Sequence, residues 1–138
     1  MSGLREEFSG IHIQPFYKNY HLRESKTFCF SPWIHLHTKP DGVAAPCCIS
    51  ASCNGDVGVG NGRTQSLMEL VNSPKMNKLR MDMLMNVPNE ECEKCYDHEK
   101  NNVLSARNML NNEFEEFYDD AISQTLPDGS LKEFRMRY

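Results

Sequence analysis

Cysteine placement is the feature of this sequence that most limits what it can fold into. The 138-residue chain carries six cysteines, at positions 29, 47, 48, 53, 92 and 95. The N-terminal MSGLREEFSG lacks the hydrophobic stretch of a signal peptide. Because cytosolic thiols are kept reduced, the cysteines favour a metal site over a disulfide framework.

The segment between Cys29 and Cys47 predicts a β-hairpin. Residues 32–38 alternate in polarity, which indicates a strand. Pro40-Asp41-Gly42 is typical of a turn, and residues 43–45 begin a returning strand. Because the strands of a hairpin are antiparallel, we expect both cysteines at its open end.

Two cysteines at the hairpin mouth and two in a C-x2-C pair make four soft ligands. Cys92 and Cys95 can converge from a tight turn or a helix start. With Cys29 and Cys47 they would offer four thiolates, a set that suits an iron–sulfur cluster or a structural zinc ion. The spacing alone leaves both metals open.

The remaining two cysteines are assigned other roles. If the returning strand continues, Cys48 points to the face opposite Cys47, so we interpret Cys48 as a small core residue and Cys53 as a loop thiol. Either of them could serve as a substitute ligand. A thioredoxin-like use of Cys92 and Cys95 is a further alternative, but it would need a βαβ context that the preceding residues do not predict.

The rest of the chain predicts a small α+β fold around the four-cysteine site. Residues 1–26 are interpreted as a polar N-terminal arm and residues 50–63 as an exposed loop. Helix starts are expected after Ser66, which has a capping-box Glu69, and at Ser73-Pro74. Further expectations are a polar helix from about Cys95 to Asn111, an acidic helix over 113–124, a turn at 127–129 and a strand over 130–138.

Composition narrows the class of partners. The net charge of −4 gives no electrostatic footprint for nucleic acid. No apolar run approaches the roughly 20 residues that span a bilayer. We therefore predict a cytoplasmic protein that binds neither nucleic acid nor membrane.

Several motifs in order resemble a known family. Cys29-x12-Gly42-x4-Cys47 fits the pattern C-x(9–15)-G-x4-C, and SLMELVNSPKMNKLRMDML, CEKCYDHE and SAR follow it. This arrangement resembles the auxiliary-cluster domains of radical S-adenosylmethionine (SAM) enzymes, which are the SPASM domain and the shorter twitch domain. The resemblance covers roughly residues 28–112.

The resemblance implies a [4Fe–4S] cluster held by Cys29, Cys47, Cys92 and Cys95. A full SPASM domain carries further cysteines after C-x2-C; none follows Cys95 here, which points to the one-cluster twitch form. It also implies three parts: an arm (1–26), the iron–sulfur domain (27–112), and a helix and strand (113–138) that lead toward a core domain.

The catalytic core that such enzymes use is missing from this sequence. Radical SAM catalysis needs a C-x3-C-x2-C motif, and position 88, where its first cysteine would fall, is Pro88. The resemblance therefore implies an accessory module, from a fragment or a split gene, that does not catalyse alone. We expect it to transfer electrons or position a peptide or small-molecule substrate for a radical SAM core, which would bind SAM. The alternative is a structural zinc module with four cysteine ligands that acts as a protein-interaction domain.

Overall fold

The computed structural model describes residues 25–135 of the chain. Within that range the chain forms one three-stranded antiparallel sheet and six α-helices, so the predicted α+β class is confirmed. Residues 1–24 of the predicted arm and residues 136–138 of the predicted final strand lie outside the described range. The elements are α1 (Ser31–Ile34), β1 (His37–Thr38), β2 (Val43–Ala45), β3 (Gly60–Asn61), α2 (Leu67–Val71), α3 (Pro74–Leu84), α4 (Glu93–Lys100), α5 (Ala106–Glu113) and α6 (Tyr118–Ser123), with 3-10 turns at Ala51–Asn54, Glu90–Cys92 and Glu115–Phe117.

The turn over Pro40–Gly42 joins β1 to β2 as predicted. Gly42 has a φ of +93°, which favours glycine. β2 is the central strand and ends at Ala45, because Pro46 has no N–H with which to extend the ladder. The chain therefore leaves the sheet just before Cys47.

The strand predicted over residues 32–38 is wrong for its first half. Residues 31–34 form the single helical turn α1. Pro32 stands in that turn, where its fixed φ favours a helix. Trp33 and Ile34 are both buried, whereas consecutive strand residues would point to opposite faces. The helical turn lets both side chains enter the core.

The exposed loop predicted over residues 50–63 is also partly wrong, because it contains β3. Gly60 pairs with Ala44 of β2. Gly58 has a φ of +58°, and a Cβ at this position would collide with the Ala44 carbonyl oxygen. Glycine at position 58 therefore permits the close approach of two backbone segments. From the sequence alone, the glycine-rich composition indicated only a flexible loop.

Both predicted helix starts in the middle of the chain are confirmed. Ser66 and Glu69 form a capping box at the start of α2. Ser73 accepts the Met76 N–H at the start of α3, and Pro74 occupies the first helical position. α3 therefore begins at a fixed point, and its buried face contributes to the core.

The polar helix predicted from Cys95 to Asn111 is in fact two helices. α4 and α5 are separated by residues 101–105, and Ser105 caps α5. Asn102 has a φ of +60°, a left-handed conformation that ends a helix. The sequence conceals this break because the linker contains neither glycine nor proline.

The last part of the chain forms less regular structure than predicted. A 3-10 turn and α6 replace the acidic helix expected over 113–124. The turn at 127–129 is confirmed, with Gly129 at a φ of +92°. Of the strand predicted from residue 130, the described part makes one bridge, between Leu131 and Thr125. Residues 132–135 are mostly exposed, so they gain little packing that would favour an extended strand.

A single core joins the two ends of the described chain. The Phe28 ring centroid lies 5.0 Å from that of Trp33 and 5.2 Å from that of Tyr118. Phe114 and Leu131 belong to the same cluster of buried residues. Among residues 25–135, no helix has both the length and the apolar character needed to cross a membrane.

Arg80 is a fully buried cation on α3. Its guanidinium donates to the carbonyl oxygens of Pro32 at 2.9 Å, Val71 at 2.7 Å and Gly129 at 3.0 Å. Burial lowers the pKa of Arg80 to about 9, so it stays charged at neutral pH. Because a buried charge needs hydrogen-bond partners, Arg80 fixes α1, and with it the segment that follows Cys29.

Candidate functional site

Four cysteines from separate parts of the chain line one cavity. Cys29, Cys47, Cys92 and Cys95 border a space of about 380 Å³, whose wall also includes apolar side chains such as Leu79. Within residues 25–135, no three His, Cys, Asp or Glu side chains form a group that could hold a single metal ion. The four predicted ligands nevertheless border one common space.

Local structure brings each pair of cysteines to the cavity. Cys92 occupies the residue position just before α4, and Cys95 lies in the first turn of this helix. Cys29 precedes α1 and Cys47 follows β2. The Ser31 hydroxyl donates to the carbonyl oxygen of Pro46 at 2.9 Å. This hydrogen bond links the segment that carries Cys29 to the segment that carries Cys47. The helical turn α1 thus holds the Cys29 segment against the Cys47 segment, which the predicted first strand was expected to do.

Burial and mutual charge govern the ionisation of the thiols. Burial is the largest cause of the raised pKa of Cys29, of Cys47 (about 11) and of Cys92 (about 12). Each of the six pairs among the four cysteines contributes a further electrostatic increase to at least one of these pKa values. Four thiolates at this site would therefore repel one another unless a cationic group lay between them.

Polar neighbours act on three of the sulfur atoms. The Ser31 N–H donates to the Cys29 Sγ at 3.4 Å. The backbone N–H groups of residues 49 and 50 act to lower the pKa of Cys47, and the Tyr96 hydroxyl acts to lower that of Cys92, but burial outweighs both effects. Such donors favour thiolate over thiol and influence the properties of any metal group the sulfurs hold.

The other two cysteines of the chain are Cys48 and Cys53, which follow Cys47 in the sequence. Cys48 is exposed, so its interpretation as a core residue is wrong. β2 has already ended at Ala45, and strand alternation no longer controls where Cys48 points. Cys48 nevertheless lines the same cavity, while Cys53 is half-buried in the following 3-10 turn.

An ion pair links the Cys29 segment to the helix that carries Cys95. Arg107 on α5 binds Glu99 on α4 through two hydrogen bonds of 2.8 Å, from Nε to Oε2 and from Nη2 to Oε1. Arg107 Nη1 also donates to the Phe28 carbonyl oxygen at 3.0 Å. Phe28 precedes Cys29, and Glu99 lies one helical turn beyond Cys95, so the pair holds two sides of the cavity.

A second polar contact links the segments of Cys47 and Cys92. The Ser52 N–H donates to Glu91 Oε1 at 2.8 Å, and the Ser52 hydroxyl donates to Glu91 Oε2. Ser52 belongs to the 3-10 turn after Cys47, and Glu91 immediately precedes Cys92. Side-chain hydrogen bonds therefore connect the cysteine-bearing segments without any metal ligand.

Comparison with protein families identifies the segment that contains this cavity. Residues 29–96 match the sequence model of SPASM, an iron–sulfur cluster-binding domain. This segment is therefore similar to a SPASM domain. The predicted resemblance to an auxiliary-cluster domain is confirmed, and the match spans all four cavity cysteines. No curated protein and no solved structure gives a significant match.

Sequence reasoning missed the polar residues that support the four-cysteine cavity. Glu99 and Arg107 are eight positions apart on two helices that were predicted as one, so their pairing has no local signature. Glu91 and Tyr96 flank the C-x2-C pair directly. Their closeness to Cys92 in sequence was the one signal that could have identified them.

Alanine substitutions should separate the four cavity cysteines from the other two. Cys29→Ala, Cys47→Ala, Cys92→Ala and Cys95→Ala should each lose bound iron and solubility, because each removes a thiolate from the convergent set. Cys48→Ala and Cys53→Ala should keep both. Iron and soluble yield, measured after anaerobic purification, provide the comparison. Equal iron content in Cys47→Ala and Cys48→Ala would contradict the assignment within the adjacent pair.

Glu99→Gln should destabilise the domain by about 2 kcal/mol at pH 7, because Arg107, whose side chain is 7% exposed, would lose its carboxylate partner. Burial acts to raise the pKa of Glu99, but hydrogen bonds from Arg107 and Ser105 outweigh it, so the net pKa is lowered. The carboxylate thus stabilises the fold above its unfolded pKa of about 4.3. That contribution disappears as the pH falls through the lowered folded value.

Urea unfolding at a series of pH values tests this expectation. The difference in unfolding free energy between wild type and Glu99→Gln should shrink on acidification. Asp97→Asn removes an exposed carboxylate from the same helix and should change stability by no more than about 0.5 kcal/mol. A difference that stays constant with pH, or that Asp97→Asn reproduces, would refute the role of Glu99.

Proposed function

We propose that Cys29, Cys47, Cys92 and Cys95 hold a [4Fe–4S] cluster, and that the chain serves as an accessory domain to a radical SAM core. The observation that carries the proposal is the convergence of these four thiols on one cavity inside a segment that is similar to a SPASM domain. Four thiolates suit the irons of such a cluster. The protein would supply a thiolate ligand to each of the four irons, which supports electron transfer or a structural role over direct binding of substrate to iron.

The cavity has room for a polynuclear group. The four thiols border a space of about 380 Å³, which extends past them to apolar side chains such as Leu79 and Met109. The similarity to a SPASM domain supports the cluster. The alternative is a four-cysteine structural zinc module, with Zn–S distances of about 2.3 Å, that acts as an interaction domain.

The chain's own residues would hold and orient the cluster, which would supply one-electron redox chemistry. Arg107 and Glu99 position the Cys29 and Cys95 segments, and Ser52 and Glu91 position those of Cys47 and Cys92. Without a C-x3-C-x2-C motif, the chain is proposed to assist a core that binds SAM and acts on a peptide or small-molecule substrate, rather than to catalyse alone.

We further propose that the protein is cytoplasmic and that its chain divides into parts with different roles. Free thiols such as the six in this chain persist in the reducing cytoplasm. Residues 27–112 would form the cluster-binding part and residues 113–138 the part that leads toward the core domain. Phe114, Tyr118 and Leu131 pack into the common core, so this second part would be anchored against the cluster-binding part.

Metal analysis of anaerobically purified protein tests the proposed cluster. The chain should be brown and contain about four irons and four acid-labile sulfides per molecule, as a [4Fe–4S] cluster requires. Cys48→Ala is the matched control and should keep the same content. Colourless protein with one zinc per chain and no sulfide would overturn the cluster and favour the zinc module.

A further inference from the structure

Arg107 is a buried cation in the wall of the four-cysteine cavity. The residue is 5% exposed, and it lines the same space as Cys29 and Cys95. Its Nη1 atom donates to the carbonyl oxygens of Phe28 at 3.0 Å and Ser25 at 3.3 Å. Because Phe28 directly precedes Cys29 in the chain, these hydrogen bonds hold the guanidinium beside the segment that carries Cys29.

Glu99 compensates the charge of Arg107 from outside the cavity. Two hydrogen bonds of 2.8 Å join the two side chains, and the Glu99 carboxylate also accepts the Ser105 hydroxyl at 2.6 Å. Burial acts to lower the pKa of Arg107, but the hydrogen bonds to Glu99 outweigh it and the net pKa is raised. Glu99 does not line the four-cysteine cavity, so the positive member of the pair is the one at the cavity wall.

No other residue that lines the cavity, in the range 25–135, carries a permanent positive charge. Apart from the thiols and Arg107, the ionisable lining residues are His35, Glu91 and Glu113. Burial lowers the pKa of His35, which favours its neutral form at neutral pH, and the other two are carboxylates. Arg107 is therefore the lining cation that can offset negative charge in this space.

We infer that the positive charge of Arg107 raises the reduction potential of the iron–sulfur cluster, and that Glu99 limits this effect by compensating part of the charge. The inference rests on the proposed function. Reduction transfers one electron from an external reductant such as dithionite to the cluster, and no covalent bond forms or breaks. A positive charge nearby stabilises the more negative reduced form more than the oxidised form, which raises the potential.

An anaerobic redox titration of wild type, Glu99→Gln and Arg107→Gln tests the inference. Glu99→Gln leaves the guanidinium uncompensated and should shift the midpoint potential to more positive values. Arg107→Gln leaves the carboxylate uncompensated and should shift it to more negative values. We expect each substitution to change the equilibrium constant for one-electron reduction by about tenfold, which corresponds to about 59 mV.

Two further variants separate an effect of charge from an effect of structure. The double variant that combines both substitutions removes both charges, and its potential should lie between those of the single variants. Glu133→Gln removes the carboxylate of an exposed ion pair with Arg135. Neither residue of that pair lines the cavity, so this control should leave the potential unchanged. Damage to the fold would move both single variants in the same direction, because both lose the same charged hydrogen bonds.

The outcomes separate this inference from the proposed function. Wild-type protein that holds zinc and no sulfide overturns both. A loaded cluster whose potential is unchanged in Glu99→Gln and Arg107→Gln, or shifts in the same direction in both, overturns only the electrostatic role of the pair. If one single variant fails to load a cluster, the sign of the shift in the other decides. Failure of both to load shows a structural role and overturns the inference.

Discussion

Convergence of four buried or half-buried thiols on one cavity is the constraint on which the rest of this structure depends. Burial raises the pKa of Cys29, Cys47 and Cys92, and the thiols raise it further through mutual repulsion. A chain that bears such a set is stabilised when a cationic group compensates the thiolate charge. Because the group binds the folded arrangement, its binding free energy adds to the stability of the fold.

Side-chain hydrogen bonds also link the cysteine-bearing segments, so the bound group does not have to hold them together alone. Arg107 holds the carbonyl before Cys29, and Arg80 holds the Pro32 carbonyl shortly after it. Both arginines are buried, and each is fixed by hydrogen bonds to several elements. The short segment around Cys29 is therefore held from both sides, although it contains only one turn of helix. The Ser52–Glu91 contact does the same for the two segments on the other side of the cavity.

Local signals in the sequence predict the features that depend on neighbouring residues. The helix starts at Ser66 and Ser73 follow from side chains that cap their own backbone. The convergence of Cys92 with Cys95 follows from a helix start. The association of Cys29 with Cys47 follows from a turn that reverses the chain, even though the first strand is largely a helical turn. The α+β class follows from these signals together.

The features that the sequence conceals depend on tertiary contacts. The break at Asn102 has no glycine or proline to mark it, and the pairing of Arg107 with Glu99 becomes possible only after that break. In the sequence Gly58 suggests a flexible loop, but in the fold the Ala44 carbonyl oxygen lies where a Cβ at position 58 would be. Cys48 was expected to be buried because strand alternation was extended beyond the point where β2 ends. In each case a contact between distant residues decides the conformation, and a single sequence does not reveal that contact.

The central claim is that the four cavity thiols surround a polynuclear iron–sulfur group. X-ray absorption at the iron edge of the anaerobically purified chain tests it most directly, since it reports the neighbours of the metal. The spectrum should show sulfur neighbours only, together with iron–iron scattering. Nitrogen or oxygen neighbours around isolated iron atoms would contradict the claim.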